Sequence, residues 1–187
     1  RCADRPVEFV EQPSFAQATE GAAQRAKVDD MLLGLAADFP TKIALDESLV
    51  GDGDVERWIG AGWPGVFVVK PALIGDVNSA LEKLARTRAD VVFSSALETA
   101  VGARAALVHA FAWAGNAARR LPVAEGRTGG EGTSSVDKAE RPARALGFGV
   151  YPLFQDARFD GPAAAPFVRW EEVERLDPNA VWTALES

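Results

Sequence analysis

Three residues capable of acid–base or metal chemistry each follow a short apolar run in this sequence. Glu11 follows Val-Glu-Phe-Val, Asp46 follows Ile-Ala-Leu, and Lys70 follows Val-Phe-Val-Val. Carboxylates on adjacent strands repel each other unless a cation lies between them, and Mg²⁺ is a hard divalent ion that favours such oxygen ligands. A lysine beside that ion can transfer a proton or stabilise an enolate. These residue types therefore predict magnesium-assisted chemistry.

Each of these residues, taken alone, has an ordinary structural explanation, because acidic residues after strands often cap helices or form turns. The ordered set favours a shared site, because the residues follow three successive strands and the C-terminal ends of parallel barrel strands share one face. Glu8 alternates with Glu11 on the first predicted strand and is expected to contact a helix instead. Lys42, at the other end of its strand, is expected to form a salt bridge.

The elements that must position these residues alternate between strands and helices. Apolar runs predict strands at 7–10, 43–45, 66–69 and 91–93, with a weaker fifth strand at 145–150. Helical spacing predicts helices at 26–37, 54–61, 76–87, 99–119 and 171–176, and Asp177-Pro178 is expected to begin a last short helix. The polar, glycine-rich stretch 126–144 is predicted to be a surface loop.

This order predicts an α/β fold with a parallel sheet. Five strands and 187 residues are too few for a complete eight-stranded barrel, which takes about 250 residues. The competing open, doubly wound sheet predicts a glycine-rich phosphate loop after the first strand, but Glu-Gln-Pro stands there at 11–13. A partial TIM-like barrel is therefore favoured.

The composition narrows the classes of function. The chain is 48% hydrophobic and carries a net charge of −7, which is typical of a folded domain that does not bind nucleic acid. It has no apolar run long enough to cross a membrane. A single cysteine cannot form an internal disulfide, so a reducing, cytoplasmic location is expected. The chain starts at Arg1 with strand-like sequence soon after, which suggests that it was cut from something longer.

Four segments resemble a known family when they are taken together. They are Phe-Val-Glu-Gln-Pro at 9–13, Leu-Asp-Glu-Ser at 45–48, Val-Val-Lys-Pro-Ala-Leu-Ile-Gly at 68–75 and Phe-Ser-Ser-Ala-Leu-Glu-Thr-Ala-Val-Gly at 93–102. They look like the second half of the enolase-superfamily barrel, roughly its strands four to eight in a (β/α)7β barrel. Within that superfamily they resemble the o-succinylbenzoate synthase family, particularly its cyanobacterial members.

The resemblance implies a role for each of the three ionisable residues. Glu11 and Asp46 match the second and third carboxylate ligands of Mg²⁺ (or Mn²⁺), and Lys70 matches the lysine that stabilises the enediolate intermediate. The implied reaction is syn dehydration of a small dicarboxylate, 2-succinyl-6-hydroxy-2,4-cyclohexadiene-1-carboxylate, to o-succinylbenzoate. That product serves menaquinone or phylloquinone synthesis.

The resemblance also implies a set of substrate-binding positions near the strand ends. Serines there would donate hydrogen bonds to substrate carboxylates, and glycines would leave room for the substrate; these residues are Ser94, Ser95, Gly147 and Gly149. The oligomeric state cannot be predicted from the sequence.

The family pattern is incomplete in this sequence. The family has a lysine pair on its second strand, a first aspartate ligand on its third strand and an N-terminal capping domain, and none of these is present. We therefore expect residues 1–187 to be the C-terminal part of a barrel and to be inactive alone. Alternatives are an N-succinylamino acid racemase, a muconate cycloisomerase-like enzyme, or a non-catalytic half-barrel that acts as a binding module.

Overall fold

The computed structural model describes residues 6–17, 19–119, 146–165 and 167–186, with the side chains of 116–119 left aside. Strands and helices alternate from the start of this region to α4, and two short helices follow near its end. The elements are β1 Phe9–Glu11, α1 Ala22–Asp38, β2 Lys42–Leu45, α2 Asp52–Gly60, β3 Val66–Val69, α3 Val77–Arg86, β4 Asp90–Phe93, α4 Ala100–Arg119, α5 Trp170–Glu174 and α6 Pro178–Leu185.

The four strands form one parallel sheet in the order β1-β2-β3-β4. Neighbours in sequence are therefore neighbours in the sheet, with no reversal of strand order. A doubly wound sheet reverses its strand order at the ligand-binding crevice. The described strands have no such reversal, and the predicted α/β class with a parallel sheet is confirmed.

The helices of the described ranges pack on one face of the sheet. A large buried cluster joins Leu45 and Phe67 of the sheet to Leu32, Trp58 and other helix residues. The opposite face, which we call the inner face, carries a separate small cluster without helix residues. Its members are Phe9, Ala44, Val66, Val68 and Val92. The alternation of side chains along each strand separates the two sets.

An ion pair spans the inner face near the N-terminal ends of the strands. Lys42 Nζ lies 2.5 Å from Asp90 Oδ2, although β3 separates their strands in the sheet. The salt bridge expected for Lys42 is thus present. Since the two side chains meet across a strand, residues from non-adjacent strands approach each other on this face.

Several predicted helix ends are confirmed by hydrogen bonds at the caps. The Asp76 carboxylate accepts from the Ser79 amide at the start of α3. The Asp177 carboxylate accepts from the Asn179 amide, and Pro178 is the first residue of α6. Acidic caps of this kind satisfy amides that have no partner within the helix.

The predicted fifth strand is reduced to a single bridge in the residues that the structure describes. Gly147 pairs with Ser94 in parallel orientation, while Gly149 and Val150 already lie in a turn. Glycines lose more backbone freedom on folding and offer no side chain to pack, so a glycine-rich strand is weak. Residue 145 and the predicted loop at 126–144 lie outside the described residues. Within the described ranges, no helix has the length and apolar character needed to cross a membrane.

The close packing of β2 against β3 gives a direct test of this sheet. A Cβ atom added at Gly65 would lie 2.1 Å from the Ile43 carbonyl oxygen. Gly65→Ala is therefore expected to lower the free energy of unfolding by about 3 kcal/mol, measured by urea denaturation. Gly34→Ala is the matched control, since Gly34 is exposed in α1 with nothing within 4 Å, and should raise stability by about 1 kcal/mol. Unchanged stability of Gly65→Ala would contradict the close approach.

Candidate active site

The three ionisable residues lie at the C-terminal ends of their strands, at positions that the alternation of side chains assigns to the inner face. Glu11 is two residues after Phe9, Asp46 is two after Ala44, and Lys70 is two after Val68. Each side chain is therefore expected on the inner face. The contacts among these three side chains agree with this placement.

Lys70 and Asp46 form an ion pair at this edge of the sheet. Lys70 Nζ lies 2.5 Å from Asp46 Oδ1 and donates to Asp46 Oδ2 at 2.8 Å. The Asp46 residue is buried, with 7% of its surface exposed, and the Lys70 side chain is 21% exposed. Burial makes the separation of such a pair costly, because either charge alone would lose its compensation.

Glu11 lies against the same aspartate. Burial raises the pKa of the Glu11 carboxyl, and so do the negative charge of Asp46 and a side-chain hydrogen bond with Asp46. The positive charge of Lys70 acts in the opposite direction but does not cancel the shift. Glu11 thus experiences excess negative potential, which a further cation would relieve.

A cavity of about 170 Å³ opens on the inner face beside Glu11. Apolar side chains supply much of its wall, and Glu11, Ser94 and Gly147 contribute polar atoms. The lining residues are Glu8, Phe9, Glu11, Val68, Val92, Ser94, Leu146 and Gly147. The cavity is therefore lined both by the β1 end of the sheet and by the segment that follows β4.

Two of the predicted substrate-binding residues, Ser94 and Gly147, face each other at this cavity. The Ser94 hydroxyl donates to the Gly147 carbonyl oxygen at 3.2 Å. A Cβ atom at Gly147 would lie 2.4 Å from Ser94 Oγ and 2.9 Å from Ser94 Cβ. A side chain at position 147 would therefore collide with Ser94, which gives a packing reason for the glycine.

The other two predicted substrate-binding residues are placed differently. Ser95 is buried, its amide donates to the Gly147 carbonyl oxygen, and its hydroxyl donates to Glu98 at 3.0 Å. Its polar groups therefore already have partners within the chain. Gly149 is exposed, with open space around it, and does not line the cavity.

The structure corrects the expectation for Glu8, which lines the cavity together with Glu11. The reason is that Glu8 lies in a bend before β1, where strand alternation does not hold. The sequence analysis did not predict a role for Gln12. This residue is buried, and its side-chain oxygen accepts a hydrogen bond from the Asp46 amide at 2.8 Å. An amide side chain offers no acid–base chemistry that would single it out.

The carboxylate oxygens of Glu11 and Asp46 are suitable ligands for part of a magnesium site. Asp46 Oδ1 is buried and lies 2.5 Å from Lys70 Nζ, so this carboxylate already faces one cationic group. Glu11 supplies a second carboxylate against it. The described residues contain no cluster of three or more acidic, histidine or cysteine side chains that could hold a metal. Glu11 and Asp46 are thus two neighbouring carboxylates of the kind that Mg²⁺ favours as oxygen ligands.

Curated proteins provide the decisive comparison. An o-succinylbenzoate synthase from Thermosynechococcus vestitus is 44% identical over 106 residues, which are 55% of this chain and 29% of the relative. The chain is similar to o-succinylbenzoate synthases. A further synthase of that name, from Mycobacterium marinum, is 31% identical over 178 residues, or 93% of this chain and 48% of the relative. The resemblance inferred from the motifs is thereby confirmed.

The matched synthases are longer than this chain. It spans less than half the length of these curated relatives. A crystal structure of o-succinylbenzoate synthase from Thermosynechococcus elongatus BP-1, complexed with Mg in the active site, is 42% identical with a TM-score of 0.44, covering 57% of this chain and 31% of that one. No protein-family model matches the sequence.

Proposed function

We propose that this chain is part of an o-succinylbenzoate synthase. Such an enzyme removes water from 2-succinyl-6-hydroxy-2,4-cyclohexadiene-1-carboxylate and forms o-succinylbenzoate, an aromatic dicarboxylate that menaquinone or phylloquinone synthesis in the cytoplasm would use. The residues 1–187 would form the C-terminal part of a (β/α) barrel, roughly strands four to eight. Similarity to proteins of this name over 93% of the chain supports the assignment.

One observation supports the proposed chemistry. Two carboxylates and one ammonium group meet at the C-terminal ends of three successive parallel strands, on the face of the sheet that none of the described helices covers. Active sites of (β/α) barrels lie at this end of the strands. The unbroken strand order and the single helical layer support a barrel segment rather than a doubly wound sheet.

The charges of the site fit a dicarboxylate only if a cation is added. Glu11, Asp46 and Lys70 together carry net negative charge, which would repel an anionic substrate. Mg²⁺, when bound, supplies positive charge that makes removal of the proton beside the substrate carboxylate less costly. Glu11 and Asp46 are the residues that would hold it.

Side chains of this chain would bind the substrate and stabilise the charge that develops on it. The Lys70 ammonium group, held by Asp46, would face the substrate carboxylate and stabilise the negative charge that grows there when the neighbouring proton leaves. Phe9, Val68 and Val92 would pack against the carbon ring, and the Ser94 hydroxyl would donate to a substrate carboxylate. Loss of hydroxide then yields an aromatic ring, which supplies much of the driving force.

The proton acceptor is not among these residues, and this gives a direct experiment. The full-length product of the gene that encodes this chain is expected to dehydrate the substrate with Mg²⁺, followed by the change in ultraviolet absorbance as the diene becomes aromatic. Residues 1–187 alone should give no turnover above a protein-free control. An inactive, folded full-length product would contradict the proposed function, and turnover by residues 1–187 alone would contradict the division of the site.

A further inference from the structure

Gln12 links the two carboxylate-bearing strands through both ends of its side-chain amide. Its Oε1 accepts from the Asp46 amide at 2.8 Å and from the Ser48 amide at 3.3 Å. Its Nε2 donates to the Ser14 carbonyl at 2.6 Å and to the Ser48 hydroxyl at 2.9 Å. The residue is buried, with 9% of its surface exposed. A buried amide with this many partners holds its surroundings firmly, because each lost bond leaves an unsatisfied polar group.

The backbone at Gln12 departs from the strand that precedes it. Its φ is +35°, a left-handed conformation that is uncommon and strained for a residue with a side chain. Its amide still donates to the Ala44 carbonyl, so Gln12 stays attached to β2 while its side chain turns towards the end of that strand. Strained conformations persist where the surrounding contacts enforce them, and they are frequent at functional sites.

We propose that Gln12 is a positioning residue that sets the Asp46 carboxylate relative to Glu11 and Lys70. Gln12 directly follows Glu11 in the chain, and its side chain holds the backbone amide of Asp46. One residue thereby determines how far apart the carboxylates of β1 and β2 lie and how Asp46 meets Lys70. The catalytic value of this role rests on the proposed function, whereas the positioning itself can be measured separately.

The experiment uses the full-length gene product and two variants. Gln12→Asn keeps an amide and a residue type that tolerates positive φ, but it shortens the side chain by one carbon–carbon bond of about 1.5 Å, so it cannot reach the Asp46 amide. Gln24→Asn is the matched control, because Gln24 is exposed on α1.

Two nuclear magnetic resonance signals report the positioning: hydrogen exchange of the Asp46 amide and the ¹⁵Nζ ammonium signal of ion-paired Lys70. In Gln12→Asn we expect exchange at Asp46 to become roughly tenfold faster and the Lys70 signal to disappear. In Gln24→Asn both should stay as in the unmodified protein. A Lys70 signal that survives in Gln12→Asn, or is lost equally in Gln24→Asn, would overturn the proposal.

A Mn²⁺ titration of the same proteins separates this inference from the proposed function. Gln12→Asn is expected to bind Mn²⁺ about tenfold more weakly than the unmodified protein, whereas Gln24→Asn should bind it equally well. If the unmodified protein binds no Mn²⁺, the proposed metal site is wrong, and the Lys70 signal alone still decides whether Gln12 positions Asp46. Equal Mn²⁺ affinity in a Gln12→Asn variant whose Lys70 signal is lost would show that the geometry does not matter for the metal.

Discussion

Replacing Lys70 by alanine in the full-length gene product is expected to lower dehydratase turnover by about a thousandfold. The Lys70 ammonium group is the positive side chain that meets Asp46, and it would lie beside the charge that develops on the substrate. Stabilisation of developing charge in a site that excludes water is worth far more than the same contact in bulk water. Steady-state rates with Mg²⁺ at saturating substrate would measure the loss.

A control must separate this effect from damage to the fold. Lys27 is exposed on α1, so Lys27→Ala removes the same group without touching the site and should leave turnover unchanged. Lys70→Met keeps the apolar stem of the side chain and should lose activity as Lys70→Ala does. Near-ultraviolet circular dichroism should show folded protein for all three variants. Full turnover by either folded Lys70 variant would rule out a role for its charge.

Asp46→Asn in the same protein should weaken Mg²⁺ binding by about a hundredfold. Residues that merely hold a metal ligand in place already affect affinity by about 10- to 100-fold, so loss of a charged ligand should reach the upper end. The substitution preserves size, and the asparagine oxygen can still accept from Lys70. Its effect therefore reports the lost negative charge at Oδ1 and Oδ2, as measured by titration calorimetry.

The matched control for that substitution is Asp30→Asn. Asp30 is exposed on α1, so this variant changes the net charge by the same amount at a distant surface. Its Mg²⁺ affinity should equal that of the unmodified protein. Equal affinities for Asp46→Asn and Asp30→Asn would remove Asp46 from the ligand set.

Much of the sheet could be predicted because its strands are short, apolar and ended by distinct residues. The run Val-Phe-Val-Val is buried throughout as β3, as expected for a strand covered on both faces. Strand alternation then predicts that residues two positions beyond Ala44 and Val68 lie on the inner face, and the ion pair between Asp46 and Lys70 agrees. Local sequence was sufficient here because the face on which each side chain lies is set by its own strand.

Features that depend on distant partners could not be predicted in the same way. Glu8 precedes the first hydrogen-bonded residue of β1, so its side chain follows a bend rather than the alternation. Gln12 accepts hydrogen bonds from two amides in the turn after β2, about 35 positions away in sequence, and its backbone has a positive φ. The segment at Gly147 pairs through one bridge, since glycines hold a strand weakly.

We propose that Glu11 and Asp46 bind one divalent cation beside Lys70 on the inner face of the parallel sheet. Anomalous diffraction from Mn²⁺-soaked crystals of the full-length gene product tests this most directly. We expect a manganese peak within about 2.3 Å of an oxygen from each of the Glu11 and Asp46 carboxylates, with the Lys70 ammonium group beside it. A peak elsewhere, or either carboxylate turned beneath the helices, would contradict it.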